Sequence, residues 1–331
     1  MQLSVVIPCH NEAENVGPLL DALLPTLAGI TPSFEVLFVD DGSRDETAAR
    51  LRARCAADPR IRLLRLSRNY GKEAALTAGI DHAQGEAVIL MDADLQHPPS
   101  VLPALVDAWR NGADMVIAAR QNRNTDGWLR RTFTRVFYRL FNALSEVEVT
   151  EQTGDFRLLD RRAVIALQAL PERGRFMKGL YALTGLETRQ VAYTAAERSG
   201  GASQFGPRKL FRFALDGLTA FTSVPLRVWS YLGFLLAVPA GFYALYLVLR
   251  TLVQGVDVPG YASLATMILF FSGVQLIGLG VLGEYLGRIY AEAKQRPLYV
   301  VSEVVGDVPV SRMPRPHGGI VLPAREPSDG K

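Results

Sequence analysis

Cysteine is nearly absent from this chain. There are two in 331 residues, Cys9 and Cys55, too few and too far apart for a disulfide framework or a metal-ligand spacing. Both read as core thiols in a reducing compartment. A dominant charge is missing as well: 36 basic against 33 acidic residues leave a formal charge of +3, too little to mark a nucleic-acid-binding protein. No secretory leader is visible, because the first apolar run stops at Pro8. At 49% hydrophobic and 21% charged, the chain can bury one large domain and something smaller.

Long apolar runs, by contrast, are present, and they are confined to the C-terminal third. "WSYLGFLLAVPAGFYALYLVL" (229–249) and "YASLATMILFFSGVQLIGLGVLG" (261–283) carry no charge, and each has roughly the 20 residues that cross a bilayer. A transmembrane hairpin is expected, with buried core helices of a soluble protein as the alternative. Arg227 before the first run and Arg288, Lys294 and Arg296 after the second, with no Lys or Arg in 251–260, place both long ends in the cytoplasm. Arg250 sits at the opposite end of the first run and would snorkel to the headgroups. "GLGVLG" (278–283) matches a dinucleotide-binding spacing, but no strand precedes it. Its glycines, with Gly273 and Gly287, read as small residues that let membrane helices approach.

The first 225 residues alternate between strand and helix patterns. Apolar strands are expected at 3–7, 35–40, 61–66, 87–92 and 115–119, separated by helical periods at 12–28, 45–57 and 72–83. "SRDE" (43–46) has the form of a capping box opening the second of these helices. The alternation predicts an α/β fold with a mostly parallel sheet, which binds ligands beyond the carboxyl ends of its strands. Polar residues gather there, in "PCHNE" (8–12), "DDGS" (40–43), "DADLQ" (92–96) and "ARQNR" (119–123). Each alone has a plain local reading: Asp40 and Asp41 turning with Gly42, Asn11 capping a helix.

Asp92 and Asp94 stand one residue apart where an apolar run ends. On an extended segment they would point in opposite directions, so different tasks are expected: Asp92 accepting hydrogen bonds from a nucleotide's sugar or base, Asp94 holding a divalent cation. Mg²⁺ takes one or two carboxylates and completes its shell with phosphate oxygens. The alternative is two aspartates that open a helix before Pro98 and Pro99.

The ordered set "VVIPCHNEAENV", "VDDGSRDET", "LSRNYGKEAALTAGIDHAQGE", "MDADLQHPP", "TGDFRLLDR", "PLR" (225–227) and "LGEYLGRIYAEAKQRPLYVV" spreads over most of residues 3–301. In these stretches the chain resembles membrane-anchored family 2 glycosyltransferases of the polyprenyl-phosphate sugar transferase type. That resemblance implies a GT-A nucleotide-sugar-binding domain over 1–206, an amphipathic juxtamembrane helix over 207–227, transmembrane helices over 228–250 and 261–283, and a cytoplasmic tail over 284–331. It implies inverting transfer of a hexose from a nucleotide diphosphate sugar, UDP-glucose before GDP-mannose, to a polyprenyl phosphate at the cytoplasmic face of a bacterial inner membrane. Pro8, His10, Glu12, Asp40, Asp92, Ala93, Gln96, Arg120, Lys178 and Arg198 would then bind the nucleotide sugar. Asp94 and Gln96 would hold Mg²⁺ or Mn²⁺, and Asp94, Asp155 and Arg157 would serve catalysis, Asp155 positioning substrate or acting as a base. Many relatives have a lysine where this chain has Gln204, within "GASQF" (201–205); Arg208 or Lys209 would stand in for it.

Two segments suit an acceptor that lives in a membrane. "PRKLFRFALDGLTAFTSV" (207–224) sets Arg208 and Arg212 on one helical stripe beside Lys209, and "DGWLRRTFTRVFYRLFNAL" (126–144) spaces Arg131, Arg135 and Arg139 four apart. Both read as basic amphipathic helices at a lipid surface, with packing against the domain as the alternative. A polysaccharide synthase would add a Q-x-x-R-W motif and further spans, and neither is present. A non-catalytic nucleotide-sugar receptor would need the pocket but no metal-ligating Asp94. The partners expected are the nucleotide sugar, the lipid phosphate and the membrane, with no nucleic acid and self-association left open.

Overall fold

A computed structural model of the chain describes residues 1–120, 142, 153–170, 172–193, 222, 224–254, 260–306 and 320–321. Strands β1 (Leu3–Cys9) and β2 (Phe34–Asp40) are buried along their whole length. This is the expected property of parallel strands covered on both faces. β1 pairs in parallel with β2 and with β4 (Ala87–Leu90), and β2 with β3 (Ile61–Leu66). β6 (Thr153–Asp160) runs antiparallel between β4 and β5 (Met115–Arg120), and β7 (Thr188–Tyr193) closes that side in parallel with β5. Beyond β3 come β8 (Val300–Val305), antiparallel to it, and the short β9 (Ile320–Val321). The order is β7-β5-β6-β4-β1-β2-β3-β8-β9.

Alternate residues of the strands feed two cores. On one face Leu3, Val5 and Ile7 meet α1 (Ala13–Ile30), α2 (Thr47–Ala57) and α4 (Leu102–Arg110). α1 buries Val16, Leu19, Leu20, Leu23 and Leu27, the single stripe that a helical period makes of such spacing. On the other face Val6, Leu37 and Leu64 meet α3 (Lys72–His82), α5 (Arg161–Ala169) and α6 (Met177–Leu183). Cys9 and Cys55 are buried thiols in the first core.

Two long helices follow, α7 (Val224–Gln254) and α8 (Tyr261–Ala293). The stretch Phe270–Ala293 is long and apolar enough to cross a membrane by length and composition, and is the sole such stretch among the described residues. "GLGVLG" lies inside α8, without the strand that a dinucleotide site requires. Among these glycines and the flanking Gly273 and Gly287, Gly278 makes the expected close approach: a Cβ there would sit 3.4 Å from the Trp229 ring of α7, whereas at Gly273, Gly280, Gly283 and Gly287 it would meet nothing within 4 Å among the described residues. α8 outlasts the apolar run by ten residues, and the chain beyond it returns to the sheet as β8. There Arg52 binds Glu303 through two bonds of 2.7 Å, and the Tyr299 hydroxyl donates to Asp81 at 2.8 Å.

The helix starts correct two local readings. α2 begins at Thr47, and no side chain closes a capping box at Glu46; instead Asp45 accepts from the Thr47 amide and hydroxyl at 3.0 and 2.6 Å. Asn11 does not cap α1. It lies in the left-handed region (φ 57), and its side-chain oxygen accepts from the Arg44 amide at 2.9 Å.

At the amino ends of the strands Glu35 and Arg62 form a buried ion pair, with Glu35 also accepting from Ser4 and from the Gln84 amide. Removing one partner strands a charge in the core, so Glu35→Ala should cost about 3–5 kcal/mol in urea denaturation. Glu35→Leu combined with Arg62→Met should recover most of that loss.

Candidate active site

A cleft of about 280 Å³ opens at the carboxyl ends of β1, β2 and β4, lined by Pro8, Cys9, His10, Glu12, Asp41, Asn69, Gly71, Lys72, Ala75, Asp92, Ala93 and Asp94. Its walls are built by carboxylates that accept backbone amides. Asp40 is fully buried, takes the Ser43 amide at 2.9 Å and faces the Arg65 guanidinium at 3.2 Å. The neighbouring Asp41 takes the amides of Tyr70 and Gly71 at 2.7 and 2.9 Å. Gly42 permits the turn that follows them: its φ is +66°, and a Cβ would lie 2.5 Å from the Arg68 carbonyl carbon. Asp41, and not Asp40, therefore lines the cleft. His10 closes the same corner, with Nδ1 2.8 Å from the Asp41 carbonyl oxygen.

The acidic loop departs from expectation. β4 ends at Leu90, so Asp92 and Asp94 are not on a strand and the alternation that would part them does not apply. The loop curls, with Leu95 at φ 61, and both carboxylates face the one cleft. His97 pins it: its Nδ1 accepts the Asp92 amide at 3.1 Å, and its ring stacks on Phe156 at 4.6 Å. Burial lowers the His97 pKa, as suits a neutral acceptor. Asp94 Oδ1 accepts the Gln96 amide at 3.1 Å.

Lys72, the first residue of α3, brings distant carboxylates together. Its ammonium lies 2.7 and 2.9 Å from the two oxygens of Asp92 and 2.8 Å from Asp155 Oδ2. Burial opposes the charge on Lys72, but the two carboxylates outweigh it and hold its pKa up. Burial likewise pushes Asp155 up, and Lys72, Lys178 and Arg157 overcome it, keeping Asp155 below the usual carboxylate range. Glu73 behaves oppositely: burial, aided by Asp155, pushes it up to about 7, and its Oε2 has no hydrogen-bond partner among the described residues.

Of the residues expected to act, Pro8, His10, Glu12, Asp92, Ala93 and Asp94 line the cleft, and Asp155 joins them through Lys72. Lys178, on α6, is half-buried near Asp155 and Glu73. Arg157 is buried, its guanidinium 3.6 Å from the centre of the Tyr181 ring and bonded to the Gly154 carbonyl. Arg120 is exposed at the end of β5. Arg131, Arg135, Arg139, Arg198, Gln204, Arg208, Lys209 and Arg212 lie outside the described residues. Lys72, Glu73 and His97 escaped the sequence reading, and Asp41 reads there as a turn residue beside Asp40. All four stand in the quoted motif stretches, but no spacing rule marks a lysine at a helix start as the partner of carboxylates on other elements.

The raised Glu73 sets a pH dependence. Its folded form holds a proton that the unfolded chain, near 4.5, releases earlier, so this group's contribution to stability is full below about 4.5 and lost as pH rises toward about 7. Glu73→Gln should flatten the fall in melting temperature between those two pH values.

The family "Glycosyl transferase family 2" matches residues 4–167. A bactoprenol glucosyl transferase of Shigella phage SfV is 46% identical over 302 residues, covering 91% of this chain and 98% of its own. An uncharacterized glycosyltransferase of Synechocystis is 47% identical, covering 92% and 96%. Among solved structures, glucosyl-3-phosphoglycerate synthase from Mycobacterium tuberculosis superposes with a TM-score of 0.47 at 18% identity, covering 66% of this chain and 77% of that one. With 46% identity to a glucosyl transferase along nearly its whole length, the protein belongs to glycosyl transferase family 2 and is a glycosyltransferase.

Proposed function

We propose that this glycosyltransferase moves a hexose, glucose first among the candidates, from a nucleotide diphosphate sugar to a polyprenyl phosphate at the cytoplasmic face of a membrane. The observation that carries the reading is 46% identity to a bactoprenol glucosyl transferase over 91% of the chain. Two structural features support it: an acidic cleft at the strand ends, and long helices with large apolar side chains turned outward. Phe234 is 73% exposed, Leu252 78% and Ile277 60%, a surface that water does not tolerate and lipid does. We read α7 and α8 as a bilayer hairpin attached to the catalytic domain at 1–206. The segment 207–227 and the row Arg131, Arg135, Arg139 would lie at the lipid surface, where Arg208, Lys209 and Arg212 would draw in the acceptor phosphate. Residues 284–331 would be cytoplasmic.

In this scheme Pro8, His10, Glu12, Asp92 and Ala93 bound the donor pocket, with Asp40 buried behind it and Arg120, Lys178 and Arg198 supplying cations toward phosphate or sugar. The residues present fit a Mg²⁺ or Mn²⁺ of sparse protein ligation. Asp94 faces the cleft without a cation partner among the described residues, Gln96 adjoins it, and no cluster of three His, Cys, Asp or Glu forms there. When bound, such an ion would share its shell with the donor's phosphates and offset the charge that develops on the leaving diphosphate. A phosphate monoester with a second pKa near 6 is largely dianionic at pH 7, so the acceptor needs little help from a base. Asp155, ion-paired and held charged, is suited to positioning, and the buried Arg157 to keeping that strand end in place.

Purified protein assayed against a panel of nucleotide sugars with a short polyprenyl phosphate tests the reading. Glucosylated lipid phosphate from UDP-glucose is the expected product, and transfer to a soluble acceptor alone would overturn it. Asp94→Asn should reduce turnover by about 100-fold or more, and excess chelator should abolish it until Mg²⁺ or Mn²⁺ is restored.

A further inference from the structure

Lys72 is the sole lysine or arginine among the described residues that line the cleft, and its place is built. The Gly71 amide is bonded to Asp41 Oδ2 at 2.9 Å, and Gly71 adopts φ 99, so the first residue of α3 is delivered against the acidic loop. Its ammonium spans both oxygens of Asp92 and one of Asp155 within 2.9 Å. Two carboxylates otherwise apt for a hard cation are thereby occupied, while Asp94, in the same cleft, is left without an ion pair among the described residues.

We infer that Lys72 is a positioning residue which, by pairing with Asp92 and Asp155, keeps both carboxylates away from a divalent ion and confines metal binding to Asp94, the adjoining Gln96 and the incoming diphosphate. Before the donor arrives, a cation of Mg²⁺ type meets one unpaired carboxylate, a weak site. With the donor bound, its phosphate oxygens would complete the shell of an ion held at Asp94, so metal affinity would rise with the nucleotide. Asp155 meanwhile stays on the ammonium, available to order the reacting groups and not consumed as a ligand. The inference rests on the metal reading of Asp94 given above.

The test is Mn²⁺ binding to the full-length protein, followed by electron paramagnetic resonance with and without UDP. Wild type should bind Mn²⁺ weakly alone and at least about tenfold more tightly with UDP. Lys72→Met, which frees two carboxylates, should bind Mn²⁺ alone about tenfold more tightly than wild type. Lys72→Arg keeps the charge and should behave as wild type. A purely structural lysine would move none of these affinities in the direction of gain. No Mn²⁺ binding by wild type with UDP overturns the metal reading and this inference with it. Normal binding with UDP, but no gain in Lys72→Met or an equal gain in Lys72→Arg, overturns this inference alone. Should Lys72→Met fail to fold, Lys72→Gln takes its place: tighter Mn²⁺ binding without UDP than in wild type supports the exclusion, and no gain overturns it.

Discussion

The cleft depends on one anchoring: the Asp41 carboxylate holding the amides of Tyr70 and Gly71. A carboxylate at the end of a buried parallel strand must be satisfied by donors, and here the donors belong to the loop that starts α3. That single attachment brings the β2 end and the α3 start together and fixes where Lys72 emerges. Asp40 and Asp45 repeat the device with Ser43, Thr47 and Ala13. The turns around the cleft are thus stiffened by acid-to-amide bonds, and the acids left to act on a ligand are the few not used in this way.

The second organising feature is the return of the chain to the sheet after α8. β8 covers the edge of β3, which would otherwise expose unpaired backbone groups, and Arg52 and Arg65 converge on Glu303. Arg65 also faces Asp40, so the edge strand and the floor of the cleft share a guanidinium. At the other end of this connection, the Glu292 carboxylate near the end of α8 accepts the amides of Arg173 and Gly174 at 2.8 and 3.2 Å. This loop leads into α6, which carries Lys178. A strand and a loop held by Glu292 thus join α8 to the α/β domain.

The strand and helix pattern was legible because buried parallel strands must be continuously apolar and their helices must bury one stripe. β1, β2, β3 and β5 fall where the pattern puts them, to within two residues. Legibility failed at the junctions. β4 ends two residues early because the His97 ring, brought in from beyond the loop, takes the Asp92 amide that a further β-ladder residue would have used. The box at Ser43–Glu46 failed because Ser43 is already engaged by the Asn11 amide, a partner from another strand end.

By itself the sequence determined the alternating α/β pattern, the two apolar runs and the family, since each is a property of composition and order along the chain. It also marked Asp92, Asp94 and Asp155 as chemical groups. Only the tertiary structure decided their states: Asp40 withdrawn, Asp41 tied to a loop, Asp92 and Asp155 sharing Lys72, Asp94 without an ion pair among the described residues, Glu73 inclined to keep its proton. The reason is that the charge and reach of a carboxylate depend on what lies within a few ångströms of it. In this fold those neighbours come from strand ends and helix starts far apart in the chain, whose meeting no local spacing records.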